Sequence, residues 1–276
     1  MGNPFVNRTR IAVVVLLALG MTAANCAPRQ KPRAKRVIAL RPAPVYPAYI
    51  PWGEHTVETR LAEIGPKVRT RWKRDFDAAG IAYPAASVEM VVFKREKRVE
   101  VYAGPSLYDL SFVRSIAITA ASGGPGPKLR EGDRQVPEGV YEVDSLNPNS
   151  LYHVALRLAY PNAFDQRMAE RDRRRKLGSA IMIHGSDKSI GCVAVGDDAA
   201  EDLFVIAADA GLDHVSVVIV PRDFRRTGEH EPMPGQPAWV HELYADLDLK
   251  LRSLPAPARV TAGDPRRRLD GPLTSR

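Results

Sequence analysis

From Ser87 onward the sequence breaks into short apolar runs separated by turn residues, and this pattern confines the chain to a β-rich fold. Residues 88–93 and 99–102 flank the charged turn Lys94-Arg95-Glu96-Lys97, as the arms of a hairpin do. Residues 115–121 run into Ser122-Gly123-Gly124-Pro125-Gly126-Pro127, a Gly/Pro loop. Residues 139–143 and 152–158 read as strands, with Asn147-Pro148-Asn149 as the turn between them. Residues 180–183 form a short apolar strand ending at His184, and 215–220 a β-branched, buried one. Two helical signals accompany the strands. Leu61, Ile64, Val68, Trp72 and Phe76 recur three and four apart, one apolar stripe with Trp72 in the core. Gly65-Pro66 interrupts the stripe, so Pro66 is expected to open a second segment, with Gly80 as its cap. The second helix is 199–210, closed by Gly211. The expected architecture is a β-rich α+β domain, a mixed sheet or sandwich with an N-terminal helix.

The 276 residues suffice for one catalytic domain plus tails, and the net charge of +8 lies in those tails. Arg29, Lys31, Arg33, Lys35, Arg36 and Arg41 stand without an acid between residues 27 and 50, and arginines dominate 251–276. Residues 51–250 are left net negative. A folded reader of nucleic acid carries its basic face on the domain itself, so no nucleic-acid partner is expected. Basic tails suit an anionic surface such as lipid headgroups or wall polymer.

The N-terminus has the order of a secretory signal. Arg8 and Arg10 precede the apolar run 11–19, shorter than the roughly 20 residues that span a bilayer, and Thr22, Ala23 and Ala24 follow it. Two processing routes fit. Cleavage near Ala24 would release a soluble protein, whereas Ala23-Ala24-Asn25-Cys26 resembles a lipoprotein box that would make Cys26 a lipidated membrane tether. The expected organisation is a signal peptide over 1–25, a Pro/basic linker over 26–53, a helical segment over 54–86 packed on the body, a catalytic domain over 87–250 and a disordered tail over 251–276. Only two cysteines occur. An exported domain held by disulfides would carry an even set at regular spacings, so a lone Cys192 invites a chemical explanation.

That explanation lies in Ile183-His184-Gly185-Ser186-Asp187-Lys188-Ser189-Ile190-Gly191-Cys192-Val193. A strand delivers a histidine, a polar loop follows, and Gly-Cys precedes another apolar run. A thiol must lose its proton to attack a carbonyl, and a neighbouring imidazole supplies the acceptor. The loop is long enough to fold back and bring the two groups together. Gly191 permits a close turn that could aim backbone N–H groups at an oxyanion, while Ser189 and Gly185 support the loop. On spacing alone the same residues also fit a core cysteine and an unrelated histidine. No CxxC or HxxxH spacing points to a metal, and no cofactor is expected.

The stretch resembles the L,D-transpeptidase catalytic domain (ErfK/YkuD type), whose His-Gly and Ser/Thr-x-Gly-Cys elements correspond to His184-Gly185 and Ser189-Ile190-Gly191-Cys192. It is most similar to the short-loop murein branch of that family. Further segments resemble that branch in the same order: Gly126-Pro127-Lys128-Leu129, Gly132-Asp133, Pro137-Glu138-Gly139-Val140-Tyr141, Leu146-Asn147-Pro148 and Tyr160-Pro161-Asn162-Ala163-Phe164-Asp165. The resemblance spans about residues 87–226. Ile190 stands where most members carry a second histidine, and Ala194 where many carry an Arg or Asn.

The resemblance implies acyl transfer on peptidoglycan stem peptides, with Cys192 as nucleophile and His184 as general base and acid. A carbonyl near Gly185 would orient the imidazole. An amine acceptor would make the chain a transpeptidase. Water would make it an amidase or carboxypeptidase, for example one releasing a wall-linked lipoprotein. A non-catalytic wall-binding module is the alternative of another class. Tyr160 and Asn162 are candidates for substrate binding, and the basic cluster from Arg167 to Lys176, with Arg173 and Arg174 at its centre, is a candidate carboxylate clamp.

Overall fold

The computed structural model describes Gly53, residues 55–228 and residues 230–256. The signal segment, Cys26, nearly all of the Pro/basic linker and the tail from residue 257 lie outside the described residues. Helix α1 (Val57–Ala79) starts at a reciprocal cap in which the Thr56 hydroxyl accepts from the Thr59 N–H and the Thr59 hydroxyl from the Thr56 N–H. It ends at Gly80 in the left-handed conformation (φ 73°). The expected break at Pro66 does not occur; α1 is continuous with Pro66 inside it. An interior proline deprives the carbonyl four residues earlier of its partner. Here that residue is Ala62, on the exposed face, where water can serve it. Burial of Ile64, Val68, Trp72 and Phe76 on the opposite face holds both halves in line.

Nine strands among the described residues form one mixed sheet in the order β3-β2-β1-β9-β5-β6-β7-β8-β4. They are β1 (Ser87–Phe93), β2 (Arg98–Ser106), β3 (Asp109–Ala117), β4 (Ala120–Ala121), β5 (Gly139–Ser150), β6 (His153–Leu158), β7 (Met182–His184), β8 (Val193–Ala194) and β9 (Val215–Val220). The β1/β9 and β7/β8 pairs are parallel and the remainder antiparallel. Every residue of β1 and β9 is buried, as their near-continuous apolar sequence requires of strands covered on both faces. Met90, Val92, Val217 and Ile219 face one core, shared with α1 and with α3 (Asp197–Ala210). Val91, Phe93, Val218 and Val220 face a second core, shared with α5 (Val240–Ser253).

The α1–α3 contact is polar at its edges. Trp72 Nε1 donates to the Asp202 carbonyl (2.8 Å), and Arg69 pairs with Asp209 (2.7 Å). Arg114, from β3, reaches Asp75 (2.9 Å) and Asp202, with its guanidinium 3.9 Å from the Trp72 ring centroid.

Three features depart from the sequence expectation. The strand from residue 139 runs through Asn147-Pro148-Asn149 to Ser150 instead of turning there. Asn149 exchanges hydrogen bonds with the His55 backbone (3.2 and 2.6 Å) and Arg60 donates to the Pro148 carbonyl, so the start of α1 holds this irregular strand. The strand expected over 115–121 is divided between the end of β3 and β4, and β3 itself begins at Asp109, after a hairpin turn at fully exposed Tyr108. The body also continues past residue 250, because α5 buries Leu243, Tyr244, Leu247 and Leu251, and Leu254 after it, in the second core.

Candidate active site

β7, paired with β6 on one side and β8 on the other, carries His184, and β8 begins directly after Cys192. The two strands pair in parallel with Ile183 opposite Val193 and His184 opposite Ala194. Alternate residues of a strand share a face. His184 and Ala194 therefore stand on one face, and Cys192 lies one residue before β8 begins. The thiol contacts the Ala180 carbonyl (3.7 Å) and lies against the Met182 backbone.

The imidazole is held from two sides. Nδ1 donates to the Gly185 carbonyl at 2.6 Å. A carbonyl only accepts, so the neutral ring keeps its proton on Nδ1 and its lone pair on Nε2. Tyr152 stacks on the ring, with centroids 4.6 Å apart and planes 21° from parallel. Gly185 is packed too tightly to bear a side chain, since a Cβ there would lie 2.7 Å from the Tyr152 carbonyl oxygen and 3.1 Å from His153 Cβ. His184 is 2% exposed. Burial lowers its pKa below the ordinary 6.5 despite the opposing Gly185 hydrogen bond. Burial raises the Cys192 thiol above its usual value, against smaller opposing effects of the Met182 backbone and Lys128. Both shifts favour a resting pair of neutral thiol and neutral imidazole.

The loop leading to Cys192 is tied down by two serines. Ser189 Oγ donates to the Cys192 carbonyl (2.6 Å) and accepts from the Ser122 N–H (2.9 Å). Ser122 Oγ accepts from the Gly191 N–H (2.6 Å) and lies 3.0 Å from Ser189 Oγ. Gly191 has φ 115°, a conformation that L side chains rarely adopt. Its N–H is already committed to Ser122, which departs from the expectation that it would face an oxyanion. The start of the loop is pinned where the Ser186 N–H donates to Asp197 (2.7 Å) and Thr119 to the Ser186 carbonyl (2.8 Å).

Cys192 borders a groove of about 480 Å³. Lys128, Glu131 and Arg134 line it from the loop after β4, together with residues 178–181 and with Ile190, Gly191 and Cys192. Asp133 organises the loop after β4 by accepting from Lys128 Nζ (2.5 Å) and from the backbone N–H groups of Leu129, Arg130 and Gln135. Burial alone would raise its pKa, but Lys128 and these N–H donors hold it below the usual carboxylate value. No group of three His, Cys, Asp or Glu side chains among the described residues is placed to hold a metal ion.

Residues 87–220 match the L,D-transpeptidase catalytic domain family, YkuD. This part of the chain belongs to that family. Over 145 residues the chain is 34% identical to YafK of Escherichia coli, an L,D-transpeptidase by name, in both strain K12 and strain O157:H7. The match covers 51% of this chain and 55% of YafK, so the chain spans about half the length of the curated relatives it matches. Among solved structures, the helical cell shape determining protein Pgp2 of Campylobacter jejuni aligns at 24% identity and TM-score 0.39, over 58% of this chain and 54% of that one. L,D-transpeptidase 1 of Mycobacterium tuberculosis aligns at 15% identity and TM-score 0.29, over 49% and 61%.

Within this L,D-transpeptidase domain the structure gathers His184, Gly185, Ser189, Gly191 and Cys192 around one strand pair. Four other candidates lie outside the groove lining. Tyr160 is buried with its hydroxyl toward the carbonyls of Lys128 (3.4 Å) and Leu177 (3.3 Å). Asn162 caps α2 (Ala163–Arg171), with its side chain accepting from the Asp165 N–H. Arg174 donates to the Leu129 carbonyl (2.9 Å) and pairs with Asp172, while Arg173 is exposed beyond the end of α2. Ser122, Tyr152 and Arg134 were not legible as site residues. Their sequence separations from the His-Cys stretch carry no period, and only the folded sheet brings them to it.

Proposed function

We propose that the chain is a cell-wall enzyme in which Cys192 attacks a carbonyl of a peptidoglycan stem peptide with His184 as base. The observation that carries this reading is the imidazole fixed by Gly185 with its Nε2 lone pair unprotonated, on a strand that pairs in parallel with the one Cys192 leads into. Nε2 takes the thiol proton as Sγ bonds to the carbonyl carbon at the L-centre of diaminopimelate. Because Ser122 holds the Gly191 N–H, the Cys192 N–H is the amide assigned to the oxyanion. As the intermediate collapses, the C–N bond breaks, the leaving amine takes the proton back from Nε2, and a thioester remains on Cys192.

Two fates of that thioester belong to the proposal. A second stem peptide's amine gives a crosslink, and water gives amidase or carboxypeptidase activity, including release of a wall-linked lipoprotein. Cys192 is partly exposed at an open groove, which favours keeping hydrolysis beside transfer. The proposal places the protein in the periplasm after export, with Cys26 as a membrane tether if it is lipidated.

The test is intact-protein mass spectrometry of the full chain incubated with purified wall peptides, wild type against Cys192→Ala. A covalent adduct on wild type alone supports the acyl-enzyme, and the released products separate crosslinking from hydrolysis. A folded, reduced wild type that forms no adduct and turns over no peptide would instead favour a non-catalytic wall-binding module.

A further inference from the structure

The groove that Cys192 borders carries two charges that the fold itself does not use. Glu131 and Arg134 are exposed and line the groove that Cys192 borders. Neither side chain makes an ion pair or hydrogen bond with another described residue, and they do not pair with each other. The third charge in the groove, Lys128, is neutralised by Asp133 at 2.5 Å. This contrast is local and built. Asp133 draws in three backbone N–H groups around the turn, and the Glu131 N–H donates to the Lys176 carbonyl (2.9 Å). Arg134 is held at φ 56°, a left-handed conformation that is unfavourable for a residue bearing a side chain. A well-anchored loop thus presents one free carboxylate and one free guanidinium, three residues apart, beside the nucleophile.

We infer that Glu131 and Arg134 form a subsite for a free α-amino-acid end group of the substrate, Glu131 taking the ammonium and Arg134 the carboxylate borne on one carbon. An isolated anion or cation would satisfy only one of them, whereas a zwitterion satisfies both and leaves the groove neutral. This rests on the proposed reaction at Cys192, because that reaction places a diaminopimelate residue here. The side chain of such a residue ends in an ammonium and a carboxylate on one carbon. The end group can belong to the residue being attacked or to the incoming acceptor, and the two cases differ in which half-reaction Arg134 serves. A guanidinium–carboxylate hydrogen bond is among the stronger ones, and its loss corresponds to roughly a 10- to 100-fold weakening.

The experiment compares the full chain with Arg134→Asn and Glu131→Gln. Asn tolerates a left-handed backbone, so the first substitution removes the charge without new strain, and a thermal melt checks the fold. Two probes test Arg134, a diaminopimelate-containing wall peptide and the same peptide with its side-chain carboxylate amidated, and a third, with its side-chain amine acetylated, tests Glu131. Wild type should favour the free carboxylate roughly 10- to 100-fold and Arg134→Asn should abolish the preference. Glu131→Gln should abolish the parallel preference for a free over an acetylated side-chain amine. Slower thioester formation assigns the subsite to the attacked residue; unchanged formation with slower aminolysis assigns it to the acceptor. If Arg134→Asn retains the wild-type preference in both steps, the subsite is refuted. Calorimetry of both peptides on Cys192→Ala and on Cys192→Ala with Arg134→Asn reads the subsite without any chemistry. Absence of a thioester would then sink the reaction while this binding difference still decides the subsite.

Discussion

Replacing Ser122 with Ala should slow the first chemical step far more than it weakens binding. The hydroxyl accepts the Gly191 N–H at 2.6 Å and meets Ser189 Oγ at 3.0 Å, while Ser189 in turn holds the Cys192 carbonyl at 2.6 Å. Its removal leaves a partly buried N–H without a partner, which costs about 1–3 kcal/mol. Ser122 is only half-buried, so water can replace part of that bond, and the lower half of the range, about 1–1.5 kcal/mol, is expected. For a body of this size that is a fall in Tm of roughly 2–6 °C. The kinetic effect is larger because the lost tether acts on the two residues that place Sγ. A displacement of the order of 1 Å in a reacting group costs up to about 100-fold, so thioester formation should fall roughly 10- to 100-fold. Peptide affinity measured on a Cys192→Ala background should change less than about twofold, since Ser122 does not line the groove. Ser122→Thr keeps the hydroxyl and should recover most of the rate. Single-turnover mass spectrometry gives the rate and a melt gives the stability. A Ser122→Ala protein that acylates at the wild-type rate would show that the serine pair is not what positions the thiol.

Other consequences concern the base and the scaffold. The acid limb of thioester formation should have its midpoint below pH 6.5, because burial lowers the pKa of His184 and the ring must be neutral to accept the proton; a midpoint at about 7 or above would point instead to an imidazolium stabilised by the thiolate. Gly185→Ala should depress kcat and cost about 1–3 kcal/mol, since the new Cβ collides with the Tyr152 carbonyl and shifts the oxygen that holds Nδ1, as a rate measurement with a denaturant titration would reveal. Arg114→Ala takes one of two ion-pair partners from the buried Asp75 carboxylate, leaving Arg74 at 3.7 Å, and removes one of the partners of Asp202, and should cost about 3 kcal/mol, a Tm drop of roughly 6–12 °C. Changing Arg173, Arg174 and Arg175 together to Ala should leave the affinity for wall peptides unchanged within about twofold, because neither Arg173 nor Arg174 lines the groove; a large loss would restore these arginines as a clamp.

What could be read from the sequence follows from how far each interaction reaches along the chain. The α1 stripe and the β-branched runs of β1 and β9 are local periodicities, and burial on the expected faces agrees with them. The cap of α2 was also local, with Asn162 three residues before Asp165, yet the basic run after it drew attention to charge instead. Helix α5 shows the same lesson, since Leu243, Leu247 and Leu251 recur at a helical spacing that the neighbouring Pro/Arg-rich tail obscured. Pro66 misled for a different reason: a proline's cost depends on whether the carbonyl it strands can reach water, which only the orientation of Ala62 decides.

The His-Cys stretch was legible because one short loop contains both reactive groups, but the residues that make it a site come from elsewhere. Tyr152 reaches His184 through the β6–β7 pairing, and Ser122 reaches Gly191 through β4 against β8. Tyr152 packs against the imidazole, and Ser122 takes up the Gly191 N–H. The distinction matters for interpreting variants. Loss of activity at Cys192 or His184 would test the chemistry alone, whereas graded losses at Ser122, Tyr152 and Gly185 would test whether the sheet positions it. A site assembled by one loop would tolerate changes at β4 and at the β5–β6 turn. The site built here should not, because its imidazole is packed against that turn and its nucleophile loop is fastened to the residue that follows β4.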